Sequence, residues 1–290
     1  SDAPAILLIM GLGTQMTRWP QALVDTLVNA GLRVIRFDNR DVGLSTRLDA
    51  AGTPDLPSIV TTMLAGGTPQ VAYGLSDMAA DAVGLLDALG IGRAHLVGAS
   101  MGGMIAQIVA ATHPDRVLSL TSIMSSSGNP TLPRASDAAL ALLASPRPAD
   151  DDVEAVIERA VRGGETLGSP GYPVDREARR AAALADYRRS YYPAGAARHT
   201  AAIAAGGDRR PLLATITAPT VVIHGADDPL VPVEAGRDTA AHISGAELIE
   251  VPGMGHDVPD AIVPLIADAI LAVTRRANAP SVVPSRASMT

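Results

Sequence analysis

The chain contains no cysteine. Disulfides, thiolate nucleophiles and cysteine-held zinc are therefore excluded, and the redox state of the compartment leaves no mark on the sequence. Lysine is absent too: all 23 cationic side chains are arginine, set against 30 Asp and Glu for a formal net charge of -7. That balance argues against a nucleic-acid footprint or a polybasic membrane anchor. Aromatic residues make up 2% of the chain and hydrophobic residues 47%, so a large core has to be built from Ala, Val, Leu and Ile. No run reaches the roughly 18 apolar residues of a membrane span. The first residues, SDAPAILLIMGLG, lack a basic leader region and do not read as an intact signal peptide. A soluble protein is expected, with the cytoplasm favoured.

What is present is an alternation. Short β-branched runs at Ala5–Met10, Arg33–Phe37, His95–Ala99, Val117–Met124, Thr220–Ile223 and Glu247–Glu250 read as strands. Between them lie helical patterns at Trp19–Ala30, Ser76–Leu89, Met101–Thr112 and Asp260–Ala277. Strands alternating with helices imply βαβ units and a mostly parallel sheet covered on both faces. The segment 128–210 breaks the rhythm: it is rich in Ala, Pro and Arg, with helical stretches near Asp151–Arg162 and Asp175–Arg189. It holds 12 Arg against 11 Asp and Glu, so it is nearly neutral and its charges read as a solvated surface. It is expected to be a helical cap inserted into a core made of 1–127 and 211–278. A Pro/Ser/Ala-rich tail, 279–290, is expected to be mobile.

The chemistry gathers in four loops. Gly98-Ala99-Ser100-Met101-Gly102 matches G-x-S-x-G, and a strand runs into it and a helix out of it. Such a turn strains the nucleophile's backbone, and small neighbours relieve the clash. A hydroxyl is a poor nucleophile until a base takes its proton. Of the six histidines, His256 lies in a loop, VPGMGHD, between the last strand and the last helix, where it can reach Ser100. The other five read as packing or surface residues. An acid must fix the imidazole's tautomer. Asp227 and Asp228 both follow the strand at Thr220–Ile223; Asp228, immediately before Pro229, is favoured, and Asp227 is then a turn residue. A tetrahedral intermediate needs amide donors. Met101, directly after the nucleophile, is one candidate, and Leu12, in the Met10-Gly11-Leu12-Gly13 loop, is the other. Apolar candidates for the substrate lining are Trp19, Met101, Met124 and Tyr191 or Tyr192. No metal or cofactor is implied.

With GASMGG, HGADDPLVP and GMGH in this order, the chain resembles the α/β-hydrolase superfamily over essentially its whole length. LLIMGLGTQMTRWP and VIRFDNRDVGLST look like the branch that includes aclacinomycin methylesterase and related bacterial carboxylesterases. The resemblance carries the nucleophile to Ser100, the acid to Asp228, the base to His256 and the oxyanion donors to Leu12 and Met101. Two departures stand out. Most relatives place an antiparallel hairpin before the first strand, and this sequence starts at that strand, so either the hairpin is absent or the chain is truncated; six parallel strands with an open edge at Arg33–Phe37 are then expected. Met10 stands where many relatives have His.

These readings converge on a Ser-His-Asp carboxylic ester hydrolase that works through an acyl-enzyme with water as co-substrate. Small to medium hydrophobic esters or methyl esters are the expected substrates. A cofactor-free perhydrolase, an acyltransferase and a carbon–carbon bond hydrolase share the same triad. A ligand-binding receptor on this fold is the alternative outside enzymes.

Overall fold

The computed structural model describes residues 3–278; the tail expected at 279–290 lies outside the described residues. Six strands carry the core: β1 (Ala5–Ile9), β2 (Arg33–Arg36), β3 (Ala94–Ala99), β4 (Val117–Ile123), β5 (Thr220–Gly225) and β6 (Glu247–Val251). They form one sheet in the order β2-β1-β3-β4-β5-β6, and every pairing is parallel. β1, β3 and β5 are buried along their whole length, which is why they read as continuous apolar runs rather than alternating ones. β2 lies at an edge, as expected, and ends one residue earlier than the sequence suggests, at Arg36. It is short and has Arg33 and Arg36 at its ends, a charge pattern that discourages strand pairing with another chain.

Eleven helices are found among the described residues. Those of the first half are α1 (Gln21–Asn29), α2 (Leu56–Leu64), α3 (Leu75–Ala88) and α4 (Met101–Thr112). Between β4 and β5 run α5 (Asp137–Ala144), α6 (Val153–Leu167), α7 (Arg176–Arg189), α8 (Pro193–Ala205) and the single turn α9 (Arg210–Leu213). α10 (Val233–Ala241) and α11 (Val263–Asn278) complete the set. α3 and α4 cover one face of the sheet, burying Met78, Ala82, Leu86, Ile105 and Val109 against Leu7, Ile9 and Leu96. α1 and α11 cover the other, burying Leu23, Leu27, Ile266 and Ile270 against Ile6, Leu8 and Val97. Alternate residues of β1 therefore feed two separate apolar layers, as a strand's period of two requires. No helix among the described residues is long and apolar enough to cross a membrane.

The arginine-rich segment departs from the expected solvated surface. Asp152 and Asp175 cap α6 and α7 by accepting the amides of Ala155 and Ala178. Arg176 then pairs with Glu158 and Glu165, and Arg180 with Glu154, across the two helices. Those pairs are exposed and contribute little each. Arg198 of α8 is different. Its side chain is 2% exposed and binds the fully buried Asp41 bidentately, Nε to Oδ2 at 2.7 Å and Nη2 to Oδ1 at 2.8 Å. The remaining donors go to Gly52 O and Tyr192 Oη, while Asp41 also accepts from Leu48 N and Tyr73 Oη. Burial opposes the charge on Asp41, but its bonds from Arg198, Leu48 and Tyr73 hold the carboxyl below its usual range. Removing one partner of such a pair strands a buried charge. Arg198→Ala is therefore expected to cost about 3–5 kcal/mol of stability, measured by urea unfolding. A loss below about 1 kcal/mol would show the pair to be dispensable.

Three histidines are buried and hold few protons. Desolvation pushes His95 down from 6.5 to about 4, and lowers His199 and His224 as well. The unfolded chain binds protons at these sites near pH 6.5 while the folded chain does not. Their stabilisation is thus complete above the unfolded pKa and is lost as pH falls below it, down to about 4 for His95. Unfolding free energy should drop between pH 7.5 and 5.5, with His95 contributing up to about 1.4 kcal/mol per pH unit once pH is below 6.5 and His199 and His224 adding in the same direction. Carboxylates titrate little in that window, so an unchanged urea midpoint would contradict the assignment.

Candidate active site

The strand register sets the site. β1 pairs with β3 from Ala5↔Ala94 to Ile9↔Gly98, so the loops that leave these two strands emerge side by side. The chain order reverses at this point, with β2 on one side of β1 and β3 on the other. In open α/β sheets the crevice at that reversal, at the strands' carboxyl ends, is where ligands bind.

Ser100 sits between β3 and α4 with φ +54° and ψ -121°, in the left-handed half of backbone space. A non-glycine residue there stores of order 1–3 kcal/mol of strain. The surroundings hold it in place: Ser100 N donates to Ile123 O at 2.9 Å, and Ser125 Oγ donates to Ser100 O at 2.8 Å. The flanking glycines are there for want of space. A Cβ on Gly98 would strike Gly102 O, and one on Gly102 would strike Ile9 O. The β1 loop closes over the serine, since a Cβ on Gly11 would lie 3.6 Å from Ser100 Oγ.

His256 and Asp228 meet Ser100 from the loops after β6 and β5. His256 Nε2 lies 3.0 Å from Ser100 Oγ, and His256 Nδ1 lies 2.6 Å from Asp228 Oδ2. Oδ1 of Asp228 accepts the amides of Leu230 and Val231, both at 2.9 Å. Each oxygen of this 6% exposed residue is thereby engaged. Because Asp228 can only accept as a carboxylate, the imidazole proton resides on Nδ1, leaving Nε2 free to accept from the serine. Asp227 takes another role: its Oδ2 accepts Gly253 N, tying the β5 loop to the β6 loop. The amides of Leu12 and Met101 donate to no group among the described residues.

The apolar sequence candidates are packed against neighbouring side chains. Trp19, 2% exposed, and Met124, 7% exposed, belong to the apolar layer under α1 and α11. Met124 directly follows β4, and its amide donates to Ile223 O. Tyr191 packs on Tyr187 at 5.3 Å between ring centres, and Tyr192 donates to Asp49. No cluster of three or more His, Asp or Glu suited to a metal occurs among the described residues.

Several contacts near the site carry no local sequence signal. The helical segment reaches into the histidine loop: His256 N donates to Leu167 O at 2.7 Å, and Gly255 N donates to Ser169 Oγ at 2.9 Å. Ser169 in turn donates to Asp257 from its hydroxyl and its amide, with Arg179 alongside at 3.5 Å. His199 of α8 touches the β1 loop through Gly13. Each of these partners lies far along the chain, so only the tertiary fold brings them together.

Comparison with known proteins fits this geometry. A family model described as alpha/beta hydrolase fold matches residues 4–260. The chain belongs to the alpha/beta hydrolase family. This alpha/beta hydrolase is 33% identical over 297 residues to rhodomycin D methylesterase DnrP of Streptomyces peucetius, covering 96% of this chain and 93% of the relative. It is 29% identical over 258 residues to 2-hydroxy-6-oxononadienedioate/2-hydroxy-6-oxononatrienedioate hydrolase of Burkholderia vietnamiensis, covering 87% and 80%. The enol-lactonase of Burkholderia xenovorans shares the fold at a TM-score of 0.67 and 24% identity, over 95% of this chain and 92% of that one. The resemblance to the methylesterase branch stands on the first of these matches.

Proposed function

We propose that this alpha/beta hydrolase cleaves carboxylic esters through an acyl-enzyme on Ser100. The observation that carries the proposal is the position of His256, 3.0 Å from the Ser100 hydroxyl and 2.6 Å from Asp228. In the first step Ser100 Oγ attacks the ester carbonyl carbon while its proton passes to His256 Nε2. The C–O π pair moves onto the carbonyl oxygen, which the Leu12 and Met101 amides hold. The intermediate collapses, the acyl–alkoxy bond breaks, and the alcohol leaves with the proton from His256. Water then repeats the sequence: its oxygen bonds to the acyl carbon as His256 takes its proton, the acyl–Ser100 bond breaks, Ser100 Oγ recovers the proton from His256, and the acid departs. Asp228 keeps its charge throughout and stabilises the imidazolium.

The kinship with a methylesterase supports an ester substrate, and the apolar character of Trp19, Met124 and Tyr191 supports a hydrophobic one. In this reading those three side chains line the acyl or alcohol pocket, and residues 128–210 form a cap over it. A panel of p-nitrophenyl esters of increasing acyl length, run beside methyl esters of larger acids, tests the proposal. Hydrolysis of at least one class by the purified protein is expected. Inactivity on all of them, with turnover of peroxide and acetate instead, would favour a perhydrolase.

A further inference from the structure

We infer that His199 is a positioning residue for the oxyanion loop and acts through the Gly13 amide. The inference rests on the esterase reading, because it concerns the loop that supplies the Leu12 donor. His199 lies on α8 and is fully buried. Its Nδ1 is 3.1 Å from Gly13 N, and its Nε2 is 2.8 Å from Arg40 O. A backbone amide can only donate and a backbone carbonyl can only accept. The ring therefore holds a single proton, on Nε2, and offers Nδ1 as an acceptor. Both ring nitrogens are used, and both partners are main chain, so the ring reads no side chain and serves to fix two loops to one helix.

What it fixes matters more than that it is buried. Gly11–Thr14 is a tight turn, closed by Thr14 N to Gly11 O at 3.3 Å, with Gly13 at φ +61°. Thr14 Oγ1 donates to Leu12 O at 3.0 Å. α8 packs directly on this turn, since a Cβ on Gly13 would lie 3.0 Å from Ala196 Cβ. The bond from Gly13 N to His199 locks the Leu12–Gly13 peptide plane. The next plane back, Gly11–Leu12, carries the amide that donates to the oxyanion. Without the His199 acceptor the first plane can rotate, and the second loses its aim with it. Burial disfavours the charged ring, and the Tyr73 ring lies at a steep angle to the imidazole, 6.3 Å between ring centres.

Two amide substitutions separate the two bonds. Asn places an acceptor near the Nδ1 position, and Gln places a donor near the Nε2 position. His199→Asn is expected to stay within about threefold of wild-type kcat, because it can still accept from Gly13. His199→Gln and His199→Phe are expected to lose about 10- to 100-fold in kcat, less than outright removal of an oxyanion donor. KM should change little. Affinity for a trifluoromethyl ketone, whose adduct carries the oxyanion, should fall by the same factor as kcat. A purely structural role would lower the melting temperature and leave kcat and ketone affinity in place.

A folded Gln variant that keeps kcat within twofold would overturn the proposal. So would ketone affinity that does not change. Nitrogen NMR of the unaltered protein provides a check that needs no variant: His199 should show the neutral Nε2–H tautomer, and the reverse tautomer or a charged ring would overturn the inference. Wild-type protein whose Ser100 fails to react with a fluorophosphonate would instead bring down the esterase reading. A labelled wild type beside an unimpaired Gln variant would defeat only the His199 role.

Discussion

Replacing Ser100 by alanine is expected to lower kcat for ester hydrolysis by on the order of 10⁶, the scale seen when one member of a serine triad is removed. The size follows from the geometry. Ser100 Oγ is the nucleophilic atom that His256 Nε2 faces, and its alternative, water activated directly by His256, has no turn to hold it. Stability should not suffer. The strain stored at φ +54° is a property of the backbone, and alanine meets the same penalty as serine there. The Ser100 amide bond to Ile123 O survives the change as well. Steady-state kinetics on the best ester of the panel, with urea unfolding in parallel, gives both numbers. A loss below about tenfold would remove Ser100 from the chemistry.

The second large effect is expected at Asp228. Asp228→Asn should cost about 10⁴ in kcat, with the fold intact. Leu230 and Val231 amides demand an acceptor at Oδ1. An asparagine that satisfies them turns its NH2 toward His256 Nδ1, where it can only donate. The imidazole must then move its proton to Nε2, the atom that faces Ser100, and the base is lost. The neighbouring His224 cannot restore it, because its Nε2 is engaged with Val231 O at 2.7 Å. Asp227→Asn is the control. Among the described residues Asp227 accepts Gly253 N alone, so its loss should leave kcat within a few-fold of wild type. Equal losses at the two positions would contradict the assignment of Asp228.

How far the sequence reveals this arrangement depends on whether the signal is local. G-x-S-x-G works because the close approach of Gly98 to Gly102 O is written within five residues. The strand ends, too, follow from short apolar runs, and errors there stay within about two residues: β5 runs on to Gly225 and β2 stops at Arg36. α8 was not legible. Its sequence, PAGAARHTAAIAA, has two small-residue stretches and no large apolar stripe, because it packs closely rather than burying leucines. Gly195 shows the reason, since a side chain there would strike Asp41 O. Arg198 and His199 lie on that helix, and their partners Asp41 and Gly13 are more than 150 residues away. A reading based on local pattern could only assign the first to surface and the second to packing. Within VIRFDNRDVGLST, Asp38 and Asp41 hold Arg189 and Arg198, contacts that no local pattern signals.

The central claim is that Ser100 is a nucleophile activated by His256, and fluorophosphonate labelling followed by peptide mass spectrometry tests it most directly. One equivalent of label is expected, on the peptide that contains Ser100. Labelling should vanish in Ser100→Ala and slow strongly in His256→Ala. Label on any other residue, or ester hydrolysis that continues with Ser100 unlabelled, would contradict the account.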